Sequence, residues 1–184
     1  MVILFAKAPI PGRVKTRLTP PLGADRAAAL YQSLVTDLLC RLTLHFNVEL
    51  HTDIETDAWR ELQVPRRLQV QGDLGERMLA ALQGRHAAIV GGDIPDLPVD
   101  HVETLLASTA DVTLGPAEDG GYWGIAVRRT HPDMFRGVAW STPSALVQTA
   151  AACCRAGLTV AMGPLWHDLD TPEDLARRND ALNH

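Results

Sequence analysis

The stretch Val2-Ile3-Leu4-Phe5-Ala6-Lys7-Ala8-Pro9-Ile10-Pro11-Gly12-Arg13-Val14-Lys15-Thr16-Arg17-Leu18 decides the fold. Val2 to Phe5 form an uninterrupted apolar run, the pattern of a strand buried on both faces of a parallel sheet. A loop follows that combines two Lys, two Arg, a Gly and a Thr hydroxyl with prolines that stiffen its path. Lys7 and Lys15 are the only lysines of the chain, and arginine carries the positive charge everywhere else. A general preference for lysine therefore does not explain the pair. This is the chemistry of a phosphate cradle: Lys7, Lys15, Arg17 and the Thr16 hydroxyl meet phosphate oxygens, while Pro9 and Gly12 set the course of a backbone whose N–H groups add fixed dipoles. A solvated basic turn is the structural alternative.

Working outward, Ala24 to Leu42 places Ala28, Tyr31, Leu34, Val35, Leu38 and Leu39 at helical spacing behind Gly23. Further strands are expected at Asn47 to His51, Arg67 to Gln71, Ala87 to Val90, Asp111 to Leu114, Trp123 to Val127 and Leu158 to Met162. Between them the patterns predict a short helix around Thr56 to Leu62, one running to about Gln83, and one over Val99 to Ser108. Another is expected to start with Thr142 as N-cap and Pro143 at its first position and to reach Arg155, where Gly157 stops it. A closing helix begins behind Thr171-Pro172-Glu173-Asp174. Strands alternating with helices read as an α/β fold, and 184 residues with 46% hydrophobic content suit one domain spanning 1–184.

The formal charge of −5, with acidic residues in excess, argues against a broad footprint for nucleic acid. Three cysteines, Cys40, Cys153 and Cys154, lack metal-ligand spacing and read as buried apolar thiols of a reducing cytoplasm. The apolar run before Lys7 is too short for a signal-peptide core, and no stretch approaches a membrane span, so a cytoplasmic protein with no membrane partner is expected.

In an open α/β sheet, ligands gather where strand ends meet helix N-termini. Asp93 follows two glycines at the end of an apolar strand, with Pro95 just beyond, and is expected to ligate a metal; capping its own turn is the alternative. Asp168 and Asp170 point the same way along an extended segment, and either could complete a metal site. Asp119-Gly120-Gly121-Tyr122 lets backbone approach a ligand beside a carboxylate, or is an Asp-Gly hairpin turn. Trp140-Ser141-Thr142 offers an aromatic platform and two hydroxyls for an acceptor, or is a core Trp with a cap. Gly72-Asp73-Leu74-Gly75-Glu76-Arg77 could reach a base or ribose through Gly72, Asp73 and Arg77, or is a capped helix start. His167 beside Asp168 suggests a general base, although a lone His is more often structural.

Together these segments, with Gly92-Asp93-Ile94-Pro95-Asp96-Leu97 and Asp168-Leu169-Asp170-Thr171-Pro172-Glu173-Asp174-Leu175, resemble the small bacterial glycosyltransferase-like proteins called arsenosugar-biosynthesis or radical-SAM/selenodomain-associated transferases. The resemblance covers nearly the whole chain. It implies a three-layer, Rossmann-like nucleotide-diphospho-sugar transferase fold of the GT-A type, a mixed and mostly parallel sheet with helices on both faces. It also implies Mg²⁺ or Mn²⁺ bridging Asp93 to a diphosphate. The chain departs from that pattern at Gly92, where Ser or Thr is usual, and at Trp123-Gly124, where a second aromatic and a bulky aliphatic are more common. The N-terminal loop is also similar to that of 2-phospholactate guanylyltransferases and, more loosely, of molybdenum-cofactor guanylyltransferases.

The leading expectation is a metal-dependent transferase moving a glycosyl unit from a nucleotide sugar to a small acceptor, as a monomer or homodimer. Lys15, Asp93 and Asp119 carry the chemistry; Gly120, Gly121, Tyr122, Trp140, Ser141 and Thr142 hold the acceptor or sugar. A nucleotidyltransferase that uses a nucleoside triphosphate and releases pyrophosphate is the alternative. A non-catalytic nucleotide sensor is the third reading.

Overall fold

The computed structural model describes residues 1–182, with side chains through Arg177. Seven strands, β1 (Val2–Ala6), β2 (Val48–Thr52), β3 (Arg66–Leu68), β4 (Ala87–Gly91), β5 (Val112–Pro116), β6 (Tyr122–Val127) and β7 (Val160–Met162), form one sheet in the order β3-β2-β1-β4-β6-β5-β7. Every neighbouring pair is parallel except those of β6, which runs antiparallel to both β4 and β5. The helices are α1 (Thr19–Leu22), α2 (Ala24–Thr43), α3 (Leu74–Leu82), α4 (Val99–Ala107), α5 (Ala145–Arg155) and α6 (Pro172–Leu182).

Because successive strand residues face opposite ways, the two apolar strands β1 and β4 each feed two cores. Val2, Leu4, Ala6, Ala88 and Val90 pack with Tyr31, Val35, Leu38 and Leu42 of α2 and with Val102 and Leu105 of α4. Ile3, Phe5, Ala87 and Ile89 pack with Met78 and Leu82 of α3 and with Cys153 of α5. The result is the expected three-layer α/β architecture, mixed and mostly parallel. Among the described residues, no helix is long and apolar enough to cross a membrane.

Several expectations shift. Residues 58–61 are turns, not a helix: Arg60 and Leu62 N–H bond three residues back, to Asp57 and Trp59, while Trp59 plugs the core. Pro65 then disfavours helical geometry at Val64, so the turns do not propagate into a helix. The third strand is Arg66–Leu68, and Gln69 N–H makes its last bond to Thr52 O. Helix α5 starts at Ala145, so Thr142 is not its N-cap: its hydroxyl donates back to Ala139 O (2.8 Å), and Leu146 N–H is taken by Gly120 O (3.2 Å). Cys153 is buried, but Cys40 and Cys154 are exposed on the outer faces of their helices. The Thr171 cap is present, with Thr171 N–H bonded to Asp174 Oδ2 (2.8 Å) and Asp174 N–H to Thr171 Oγ1 (3.3 Å).

Glu49 of β2 ties β3 and the end of α3 to the sheet by accepting from Arg67 Nε (3.1 Å), Arg85 Nη1 (2.9 Å) and His51 Nε2 (3.0 Å). Burial keeps His51 below its ordinary value and therefore neutral at pH 7. Burial alone would raise the Glu49 carboxyl, but the bonds from His51 and Arg85 outweigh it and draw it down to about 2. Its folded value lies below the unfolded one, so its stabilisation is complete above about pH 4.5 and is lost as pH falls toward 2. The stability gap between the native protein and Glu49→Gln should shrink over that window in urea titrations. At the fully buried Leu4, truncation to Ala should cost about 2–5 kcal/mol in the same measurement at neutral pH.

Candidate functional site

All strands except β6 point their carboxyl ends to one edge, so the segments after β1, β2, β4, β5 and β7 converge there. Two anchors hold the basic loop. Lys7 N–H donates to the Tyr31 hydroxyl of α2 (2.9 Å), and Ala8 N–H donates to Asp53 Oδ1 beyond β2 (2.7 Å). Val14 and Lys15 then turn inward while Gly12, Arg13, Thr16 and Arg17 stay exposed. Lys15 adopts a left-handed backbone (φ 47°, ψ 43°), a conformation costing a non-glycine residue about 1–3 kcal/mol, which turns its side chain under the loop.

The ammonium lies 3.3 Å from Asp93 Oδ2 and 3.5 Å from Asp170 Oδ1, and its side chain is only 2% exposed. Arg17 Nη1 meets the other Asp170 oxygen at 2.9 Å. Asp93 is placed by β4 and the tight turn after it. A Cβ on Gly92 would crowd Val35, Phe5 O and the Tyr31 hydroxyl, so the absent side chain makes room for the anchor of the basic loop. Asp168 and Asp170 flank Leu169, which is fully buried beside Leu18, Ala27 and Leu34; its N–H donates to Asp93 O (3.2 Å). Alternation about that plug turns both carboxylates toward the cleft.

The electrostatics divide these acids. Burial opposes ionisation of Asp93, but the Lys15 ammonium outweighs it and holds the carboxyl below the ordinary range. The Asp93 side chain remains 42% accessible, open to a ligand. Asp168 is pushed up to about 6, first by burial and then by the charges of Asp93, Asp119 and Asp170, with Lys15 giving partial relief. Asp170 is matched by two cations, and Asp168 has no ion pair among the described residues.

Two cavities adjoin at this edge. One of about 310 Å³ is lined by Lys7, Lys15, Tyr31, Asp53, Arg77 and Asp170, among others. The other, about 270 Å³, is lined by Asp119, Gly121, Trp140, Ser141, Thr142 and Asp168, with further apolar residues. Leu74, Gly91, Asp93 and Tyr122 line both, so Asp93 stands on the wall between them. A larger hollow of about 510 Å³ beside β3 is lined by neither lysine nor Asp93.

Several expected site residues lie elsewhere. Pro9, Gly12, Thr16, Arg17, Gly72 and Asp73 do not line the first cavity. Asp73 caps α3 in a reciprocal box with Glu76 (2.9 and 2.8 Å), and Gly72 O accepts from Arg77 Nε (2.8 Å). Gly120, with φ 87°, is packed against Pro143 and stays out of the second cavity. Asp119 both caps its hairpin turn, accepting from Gly121 N–H (2.8 Å), and faces that cavity. The buried Tyr122 hydroxyl points to Met78 Sδ (3.9 Å). His167 stacks on Trp166 and lines neither cavity.

Tyr31 and Asp53 escaped sequence reasoning. Tyr31 reads as one more apolar position of an amphipathic helix, and Asp53 carries no motif; only the parallel pairing of β1 with β2 brings the latter to the loop.

A family model described as "Uncharacterized protein conserved in bacteria (DUF2064)" matches residues 30–142. The crystal structure of a "putative nucleotide-diphospho-sugar transferase" from Desulfovibrio desulfuricans G20 is 33% identical, covering 98% of this chain and 95% of that one, with a TM-score of 0.83. The inositol-1-phosphate CTP transferase of Thermotoga maritima (13% identity, 98% and 93% coverage, TM-score 0.63) shares the fold. So does a nucleotidyl transferase from Methanothermobacter thermautotrophicus (13% identity, 100% and 98% coverage, TM-score 0.57). A comparison with curated proteins finds no match. The chain belongs to the DUF2064 family and has the α/β fold seen in nucleotide-diphospho-sugar transferase structures.

Proposed function

We propose that the protein is a transferase that holds a nucleotide sugar in the cavity lined by both lysines and passes its glycosyl unit, past Asp93, to a small acceptor in the neighbouring one. The observation that carries this reading is the pair of cavities sharing Asp93, with a buried ammonium on one side only. Lys7, Lys15 and Arg77 face the first cavity and would bind the diphosphate; Asp119, Ser141 and Thr142 would orient the acceptor. The 33% identity to a structure described in the same terms supports it.

A divalent ion fits the donor chemistry. Mg²⁺ and Mn²⁺ take hard oxygens from one or two carboxylates and complete their shell with phosphates and water, so a site of this kind needs no cluster of three protein ligands. None is found among the described residues. Asp170 is already matched by Lys15 and Arg17, whereas Asp168 stands beside Asp93 and Asp119 with no ion-pair partner among the described residues. Asp93 and Asp168 are therefore the residues that would hold the ion. When bound, it would stabilise charge on the departing diphosphate. Asp170 would instead keep Lys15 and Arg17 in place.

Nucleotidyl transfer from a nucleoside triphosphate is the second reading, favoured by the exposed Lys7 and Arg13, which add cationic capacity beside Lys15. Product analysis separates the two. With nucleotide sugars and Mg²⁺ or Mn²⁺, nucleoside diphosphate should be released; pyrophosphate from triphosphates, with no diphosphate from nucleotide sugars, would reject the first reading. Asp93→Asn should lower kcat/KM by about 100-fold or more, the equivalent of several kcal/mol of lost transition-state stabilisation. Undiminished turnover in that variant would remove Asp93 from the mechanism.

A further inference from the structure

The two cavities differ in charge as much as in position. Lys7, Lys15 and Arg77 line the first, where they balance Asp53, Asp93 and Asp170. The second presents three carboxylates, Asp93, Asp119 and Asp168, and three aromatic rings, Tyr122, Trp123 and Trp140. Among the described residues, no Lys, Arg or His lines it. Lys15 does not make up the deficit: it lines the first cavity, its side chain is 2% exposed, and its ammonium is engaged by Asp93 and Asp170. Nor does Arg17, held by Asp170, or Arg177, held by Glu118.

A phosphate or carboxylate placed here would lose water and meet three carboxylates with no cation in the lining to receive it. An ion shared by Asp93 and Asp168 would leave Asp119 uncompensated. The rings supply what such a cavity can offer a different guest. Trp140 is partly exposed and fixed edge-on against Phe135 (centroids 5.9 Å apart), and Gly75 of α3 leaves room for its indole. A rigid aromatic wall beside carboxylates favours the apolar face of a polyol or an ammonium group.

We infer that the acceptor is a small hydroxyl compound bearing no anionic group, neutral or aminated, seated between Trp140 and the carboxylate of Asp119. This rests on the proposed transfer between the cavities and adds the acceptor's chemical class. Lone-pair electrons of the acceptor hydroxyl form the new bond to the anomeric carbon. The bond from that carbon to the diphosphate oxygen breaks, and its electron pair leaves with the nucleoside diphosphate. The hydroxyl proton passes to Asp119, whose Oδ1 accepts from Gly121 N–H while Oδ2 remains for it.

The test is a ligand-observed NMR screen of the intact protein against small hydroxylated compounds in four classes: neutral, ammonium-bearing, carboxylate-bearing and phosphate-bearing. Hits belong to this cavity when Trp140→Ala abolishes their binding and Lys15→Ala does not. The expected result is that these hits come from the neutral and ammonium classes, and that Asp119→Lys weakens ammonium compounds at least tenfold while admitting phosphate-bearing ones. Ser141→Arg, on an exposed residue, should shift the preference the same way without touching the hairpin turn. Hits drawn mainly from the anionic classes, an unchanged class preference in both charge variants, or no hit that depends on Trp140 would overturn the inference. Failure of the glycosyl-transfer reading has a different signature, pyrophosphate release from nucleoside triphosphates, and is scored separately from these binding preferences.

Discussion

A nearly inaccessible ammonium, Lys15, between the carboxylates of Asp93 and Asp170 is the interaction on which the rest of the site depends. An ammonium withdrawn from water is tolerated only with charged partners, and these come from residues 78 and 155 positions away. The chain must therefore bring the loop after β1, the turn after β4 and the segment after β7 to one point. Each is held there by apolar packing. Val14 and Leu18 are buried on either side of Lys15, Ile94 beside Asp93, and Leu169 between Asp168 and Asp170. The charged cluster is positioned by the buried hydrophobic residues interleaved with it.

The sheet order explains why that point is a cleft. β1 and β4 are adjacent and parallel, so Lys7 and Asp93 leave the same edge; β5 brings the hairpin turn with Asp119 to that edge, and β6 runs back from it antiparallel between β4 and β5. Gly115 leaves space for the Trp123 indole, whose Nε1 donates to Pro164 O (2.9 Å) and thereby ties the segment leading to Asp168 onto the hairpin. Trp166 Nε1, bonded to Pro95 O (2.9 Å), fastens the same segment to the turn that carries Asp93. Packing, and not any one motif, sets where the acids stand relative to the lysine.

That placement sorts charge. Carboxylates and aromatic rings line both cavities, but Lys and Arg line only the one nearer β1 and β2, so the one nearer β5 and α5 is left acidic. A nucleotide sugar and its acceptor differ in the same sense, one carrying a diphosphate and the other a nucleophilic hydroxyl. The asymmetry of the cleft thus matches the asymmetry of the proposed reaction.

Much of this was legible in the residues themselves. The apolar runs of β1 and β4, the 3.6-residue spacing of α2 and the isolated lysine pair are local patterns whose physical meaning needs no partner. They determined the α/β class and marked the basic loop and Asp93 as a site. Local signals were ambiguous where two outcomes share them: Asp73 could reach a ligand or end a helix, and it caps α3. Thr142 has the chemistry of a cap, yet the Gly120 carbonyl takes a backbone N–H of the first turn of α5, a contact no local pattern encodes. Only tertiary structure distinguished Asp168 from Asp170, recruited Tyr31 and Asp53 to hold the loop, and separated a cavity lined by Lys and Arg from an acidic one without them. Charge pairing and cavity walls depend on distances between residues far apart in the chain, and those distances exist only once the sheet has formed.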